Sequence, residues 1–279
     1  MKKKHFKMIA LVTAILLIIG LGCFANSLLG NPISKMLATN TAKKHLAETY
    51  SDTDFYIERI VYSFKDGDYH VFIKSPSSID TEFSLQITML GKLRLDTYDS
   101  VLNGFNTARR LEYDYRDLTD TIFENPSFPY TCHISYGTLE IYPEEAFADP
   151  VRNEVPSYAI HQKELEIDKL YDIKALGQQA GHLIVYAEND TVTAEKAAEI
   201  LLDIQAIFDN AGIPFKAIDF TLWYPKSEEG DRPEGEISIA DFAYDEIYED
   251  GMVERVQEAD KALKAYYEER DKKNMELSP

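Results

Sequence analysis

Behind the basic start MKKKHFK, eighteen uncharged and mostly apolar residues run from Met8 to Ala25 (MIALVTAILLIIGLGCFA). This run constrains the chain more than any other feature. No charge falls between Lys7 and Lys35. Met8 to Leu29 therefore supplies the roughly 20 apolar residues that a helix needs to cross a bilayer core of about 30 Å. Asn26 and Ser27 are soft polar interruptions near its outer end. Lys2, Lys3, Lys4 and Lys7 crowd the front flank, whereas only Lys35 lies close behind. The positive-inside bias then predicts a cytoplasmic N-terminus and an extracytoplasmic C-terminal region. Two other fates compete. Cys23-Phe24-Ala25 passes as a small-x-small cleavage site, and Gly20 to Cys23 resembles a lipobox, with Gly20 where an aliphatic residue is expected. Signal h-regions run about 7–15 residues, so the length of this run favours a retained anchor. Ala10 and Ala14 form a small-xxx-small pair of the kind that dimerises helices, although Ala is common in any anchor.

About 250 residues follow, enough for one large or two small domains at about 100–150 residues each. Hydrophobic residues make up 45 % of the chain and aromatic ones 12 %, which calls for a packed core and not for disorder. The net charge of −19 is uneven: residues 1–139 hold 15 acids and 15 Lys/Arg, whereas residues 140–279 hold 33 acids and 14 Lys/Arg. An acidic half of this kind repels nucleic acid and anionic lipid and favours cationic proteins or peptides; solubility alone is the plainer explanation. Of the two cysteines, Cys23 lies in the apolar run and Cys132 beyond it. They do not pair within one chain, so no disulfide is expected in a compartment that would permit one.

Local patterns give the order of elements. Asn31-Pro32 reads as an N-cap with proline at the first helical position, opening a helix to about Tyr50. A strand follows from Phe55 to Phe64, and Lys65-Asp66-Gly67-Asp68 turns it into a hairpin. Tyr69, Val71 and Ile73 alternate on the return strand, and Phe83, Leu85, Ile87 and Met89 on a third. Gly91-Lys92 leads to a short fourth, Leu93 to Tyr98. The stretch from Leu102 to Glu124 steps by three and four and reads as a long amphipathic helix ended by Pro126 and Pro129. Beyond it, strands are expected at Tyr130–Tyr136, Thr138–Tyr142, His182–Glu188, Lys216–Tyr224 and Glu236–Ile239. A helix capped by Thr193 and closed by Gly212 and Pro214 lies among them, and a last helix runs from about Met252 to Arg270. The stretch between Pro143 and Gly181 reads as irregular.

The predicted fold class is α+β: one N-terminal transmembrane helix, then two small antiparallel-sheet units with helices packed on one face. The expected domains are a basic flank and anchor at 1–30, a helix-then-meander unit with a long closing helix at 31–126, an acidic α+β unit at 127–272, and a tail at 273–279.

Motifs that carry chemistry are few. Cys132 and His133 are neighbours on a strand and point to opposite faces, so they form no dyad with each other. Cys132 reads as a small buried residue. The histidines lack zinc spacing. Asp245 to Val256 departs from a calcium loop at Ile247 and Asp250. No catalytic, metal or cofactor residue is assigned, and non-catalytic is favoured over enzyme. With 48 acids in the chain, any chosen pair for glycoside chemistry is arbitrary. The one candidate partner-binding group is Asp241, Tyr244, Asp245, Tyr248 and Glu249, beside Phe242 and Asp250. Acids among aromatics suit cations or basic peptides. Acids placed to favour the start of the last helix explain them at least as well.

Several stretches carry a resemblance: the apolar run into NPISKMLA, then YSFKDGDYHVFIKSPSSIDTEF, YGTLEIYPEEAF and AGHLIVYAEN, and finally DFTLWYP with PEGEISIADFAYDEIYEDGMVERVQEAD. In these the chain resembles the YfjL-like family of bacterial membrane-anchored proteins. The resemblance implies a two-part region outside the membrane and brings no activity, so no functional residue is carried over. The first unit is also distantly similar to PepSY-type envelope modules in its helix-then-meander order, which implies an inhibitory role. The expected function is an extracytoplasmic binding or regulatory region of a single-pass envelope protein. Its expected partners are the membrane and a cationic protein or peptide, with no nucleic acid. An envelope hydrolase using two acids is the rival.

Overall fold

The computed structural model describes residues 2–149, 154–227 and 229–277. Helix α1 (Lys2–Leu29) is 28 residues long, about 42 Å at 1.5 Å per residue. It is long and apolar enough to cross a membrane, and among the described residues none of its apolar window is buried against the rest of the chain. Gly30, in the left-handed region at φ 67°, separates it from α2 (Pro32–Thr49). As the sequence predicts, Asn31 caps α2, its side chain accepting from the Ser34 amide at 2.8 Å.

Four strands follow in an antiparallel meander: β1 (Tyr56–Ser63), β2 (Asp68–Lys74), β3 (Glu82–Thr88) and β4 (Leu93–Asp96). Gly67 takes φ 72° in the first hairpin turn. Ala38 and Ala42 of α2 are fully buried over Val71, Ile73, Leu85 and Ile87. Small side chains there let the helix approach the sheet closely.

The predicted long helix is broken. A short α3 (Asp99–Leu102) is separated from α4 (Phe105–Phe123) by Gly104 at φ 80°. The chain divides into two compact units between Thr107 and Ala108, inside α4. Asn106 donates to the carbonyls of Asp80 and Glu82, whereas Leu111 and Tyr115 join a core with Leu139, Ile141 and Ala180. The expected division at Pro126–Pro129 lies later, because a helix pattern shows which face is apolar and not which core receives it.

The second unit holds β5 (Thr131–Leu139), β6 (Ile141–Tyr142), α5 (Glu144–Phe147), β7 (Ile160–His161), α6 (Ile173–Ala180) and β8 (Gly181–Glu188). It continues with α7 (Ala194–Ala211), β9 (Ala217–Trp223), β10 (Glu236–Ala243) and α8 (Met252–Leu277). Its main sheet has the order β10-β9-β8-β5 and is mixed: β8 and β9 run parallel, joined through α7, and the other pairs are antiparallel. The class is α+β, as read from the sequence. Leu183, Val185, Ile218, Phe220 and Leu222 face α7, where Ile200, Leu201, Ile204 and Phe208 are fully buried. At about 25 cal/mol per Å² of apolar surface, each such side chain contributes roughly 1.5–3 kcal/mol. The intervening residues of β8 and β9 point to the other face, and there the polar chemistry collects.

Candidate functional site

His182 is the second residue of β8 and is buried. Its Nδ1 lies 2.7 Å from Glu140 Oε1 and its Nε2 3.0 Å from Asp219 Oδ1. Burial works against a charged ring, but the hydrogen bonds it donates to Asp219 and Glu140 outweigh it and raise the imidazole to about 9. The ring is therefore an imidazolium at neutral pH, with both nitrogens engaged by carboxylates.

Asp219 stands in the middle of β9 on the side away from α7. Its Oδ1 also accepts the Asp241 amide at 2.6 Å. Asp241 sits where the β9–β10 register slips, between Ile239 and Phe242, and is left-handed at φ 49°. Such a bulge re-aims side chains at a sheet edge. Asp241 Oδ1 accepts the Tyr158 hydroxyl at 2.5 Å, and that hydroxyl is also 3.3 Å from His182 Nδ1. Burial and then Asp241 hold the Tyr158 phenol far above its ordinary value, so it stays protonated.

A cleft of about 550 Å³ opens beside this network. Glu140, Glu154, Asp219 and Asp241 line it together with Tyr142, Tyr266 and Tyr267. A further recess of about 280 Å³ adjoins it through Asp219, Ala240, Leu263 and Tyr267, and reaches Tyr186 and Trp223. Helix α8 forms the wall. Its first turns are anchored by buried Met252 and Val256. It then follows β10, where Asp260 accepts the Ser238 amide at 2.9 Å and Lys264 donates to the Glu236 carbonyl at 3.1 Å. Arg270 lies 4.6 Å from the Tyr267 ring centre and 3.8 Å from Glu154. At the other end, Arg232 stacks 3.7 Å over Trp223 and pairs with Glu188 at 2.6 Å.

Of the residues singled out from sequence, Asp241 alone lines this cleft. Tyr244 points to α7, its hydroxyl donating to Asp209 at 2.9 Å. Asp245 is exposed, 3.9 Å from Lys216. Tyr248 lies under the Arg255 guanidinium at 3.5 Å, and Arg255 also donates to the carbonyls of Glu246, Tyr248 and Asp250. The Glu249 carbonyl accepts the Met252 amide at the start of α8. These four build the turn into the last helix.

The sequence reading missed His182, Glu140, Asp219 and Tyr158. Their signal was available: a histidine opening the apolar strand HLIVYAE and an aspartate inside AIDFTLW. Cys132 packs against the α7 core, and burial followed by the nearby Glu188 pushes its thiol up to about 11, the environment of an inert cysteine. His133 instead meets the Trp223 ring at 6.2 Å. Among the described residues no group of three or more His, Cys, Asp or Glu is placed to hold a metal ion.

Fold and site together define a two-unit α+β protein behind an apolar N-terminal helix, with an acid- and tyrosine-lined cleft in its second unit. The chain belongs to the YfjL-like family: the model for the YfjL-like, N-terminal domain matches residues 3–97, and that for the YfjL-like C-terminal domain matches residues 114–257. No curated protein and no solved structure matches it.

Proposed function

We propose that the chain is a single-pass protein of the cell envelope, held by α1 with its N-terminus in the cytoplasm, and that the cleft of its second unit binds a cationic peptide or protein segment outside. The lysine flank and the unburied apolar helix support the anchor. The observation that carries the binding role is the lining of the cleft. Four carboxylates stand against one imidazolium, and three tyrosine rings border them. A cation within about 6 Å of a ring face is attracted to it. Arg270, between Tyr267 and Glu154, displays that pairing within the chain itself. The volume lies in the range of about 300–1,000 Å³ typical of ligand sites. The acidic charge of residues 140–279 draws a basic partner toward it.

A two-acid hydrolase fits less well. It needs one carboxyl that keeps its proton to serve as an acid. Glu140 and Asp219 are instead both engaged by the His182 ring, and Asp241 accepts the Tyr158 hydroxyl, so these carboxyls already have partners within the chain.

A photo-reactive residue at position 267 of the full chain, offered a biotinylated arginine-containing peptide, tests the binding role. Labelling should be strong from 267, weak from exposed position 113, and lost when citrulline replaces arginine. Equal labelling from both positions would remove the cleft from the account.

A further inference from the structure

Helix α1 is bolted to one end of the first sheet. Tyr62 donates to the Ser27 carbonyl at 3.0 Å. The Asn31 amide donates to the Tyr69 hydroxyl at 2.9 Å, and that hydroxyl donates back to the Asn31 carbonyl at 2.8 Å. Gly30 fills the space between: a Cβ there would lie 2.5 Å from Tyr69 Oη and 2.8 Å from Tyr62 Cγ.

Both hairpin tips lie at this same end. The turn after β1 begins beside Tyr62, and the pairing of Tyr69 with Ile87 and Asp68 with Thr88 brings the β3–β4 turn alongside. Thr41 of α2 donates to the Gly91 carbonyl at 2.7 Å, which ties the middle of α2 to that turn. This end carries large apolar side chains in solvent: Leu90 is 88 % exposed, Ile33 68 %, Phe64 62 % and Met36 57 %. Each tip also carries a lysine. Lys65 follows Phe64, Lys92 follows Leu90 by two residues, and Lys35 precedes Met36; all three are exposed.

We propose that this end of the first unit is a lipid-contacting surface, with Phe64, Leu90, Ile33 and Met36 set into the headgroup boundary of the bilayer that α1 crosses, and Lys35, Lys65 and Lys92 reaching anionic headgroups. The inference rests on the reading of α1 as an anchor. Its occupant follows from continuity: a helix fixed to the sheet by Tyr62 and Tyr69 delivers this end, and not the opposite one, to the membrane surface. Apolar tips beside lysines match the chemistry of an interface, where rings and aliphatic chains bury while ammonium groups stay at the phosphates.

The full chain with Trp223→Phe, reconstituted in vesicles containing anionic lipid, accepts single tryptophan probes. Phe64→Trp and Leu90→Trp should emit at shorter wavelength than Ile79→Trp, a probe beyond the far end of β2, and should be quenched by lipids brominated near the carbonyls. Lys65→Glu with Lys92→Glu should reduce that quenching. Leu17→Trp, near the middle of the span, reports the anchor independently through lipids brominated near the ends of their chains. Quenching at 17 but not at 64 or 90 overturns this inference and leaves the anchor standing. A blue shift at 64 without lipid quenching also overturns it and assigns the tips to a protein partner such as a second copy. No quenching at 17 removes the anchor and this inference together.

Discussion

Asp241 donates its amide to Asp219 Oδ1 at 2.6 Å while its own backbone is left-handed at φ 49°. The strained residue and the imidazolium partner are thus one unit, because the same oxygen receives His182 Nε2. Strain of this kind costs of order 1–3 kcal/mol and persists only where the surroundings fix it. Asn tolerates this region and a β-branched residue does not. Asp241→Asn should therefore stay within about 1 kcal/mol of wild type, whereas Asp241→Val should lose about 2–3 kcal/mol. Urea denaturation of the two variants side by side checks the difference. Equal losses would mean that the backbone there relaxes freely.

His182 makes stability depend on pH. Its pKa is raised in the folded chain from 6.5 to about 9, so the charged ring favours the native state. That contribution is fully present below about pH 6.5 and is lost as pH rises through about 9. It amounts to about 3 kcal/mol at most. His182→Gln should be strongly destabilised at pH 6, with the gap to wild type narrowing by pH 10. Denaturation midpoints across that range measure it. A gap that widens with pH would mean the ring is neutral in the native state.

Three glycines let Tyr115 into the core below this site. A Cβ at Gly177 would lie 2.5 Å from Tyr115 Cε2 and one at Gly137 2.8 Å from Cε1, while Gly181 faces the hydroxyl, which donates to the Pro214 carbonyl at 2.9 Å. Overpacking costs about 1–3 kcal/mol. Gly177→Ala should lower stability by about that amount, and Gly177→Ala with Tyr115→Leu should recover part of it. A lack of recovery in the double variant would place the cost at the Pro214 carbonyl, which a Cβ at Gly177 would approach to 2.6 Å.

Much of the fold was legible, and what was not has a physical reason. Phe83, Leu85 and Ile87 alternate and are buried as read. Thr193 caps α7, and Gly212 ends it at φ 62°. Helix α6 was missed because it is only eight residues long and carries Gly177 in its interior, although Asp172 caps it by accepting from Lys174 and Ala175. The second unit was expected to hold an antiparallel sheet, whereas β8 and β9 run parallel, because the helix between them carries the chain back across the sheet. The site was least legible. Glu140, Tyr158, His182, Asp219 and Asp241 meet from five separate segments, and no spacing rule links them.

Topology is open to a direct test. Protease added to spheroplasts should remove a C-terminal tag and spare an N-terminal one. A protected C-terminal tag, or a mature chain starting at Asn26, would contradict the retained N-in anchor.

The central claim, a cation-binding cleft, is tested most directly by calorimetric titration of oligoarginine into the full chain in nanodiscs of uncharged lipid. The account predicts one saturable site that weakens as salt rises, since screening shortens to about 8 Å near physiological ionic strength. It also predicts further loss with Glu154→Gln and Tyr267→Ala, and little change with Asp245→Asn and Glu249→Gln. Binding indifferent to salt and to Glu154 and Tyr267, or no binding at all, would contradict it and leave the acidic charge to solubility alone.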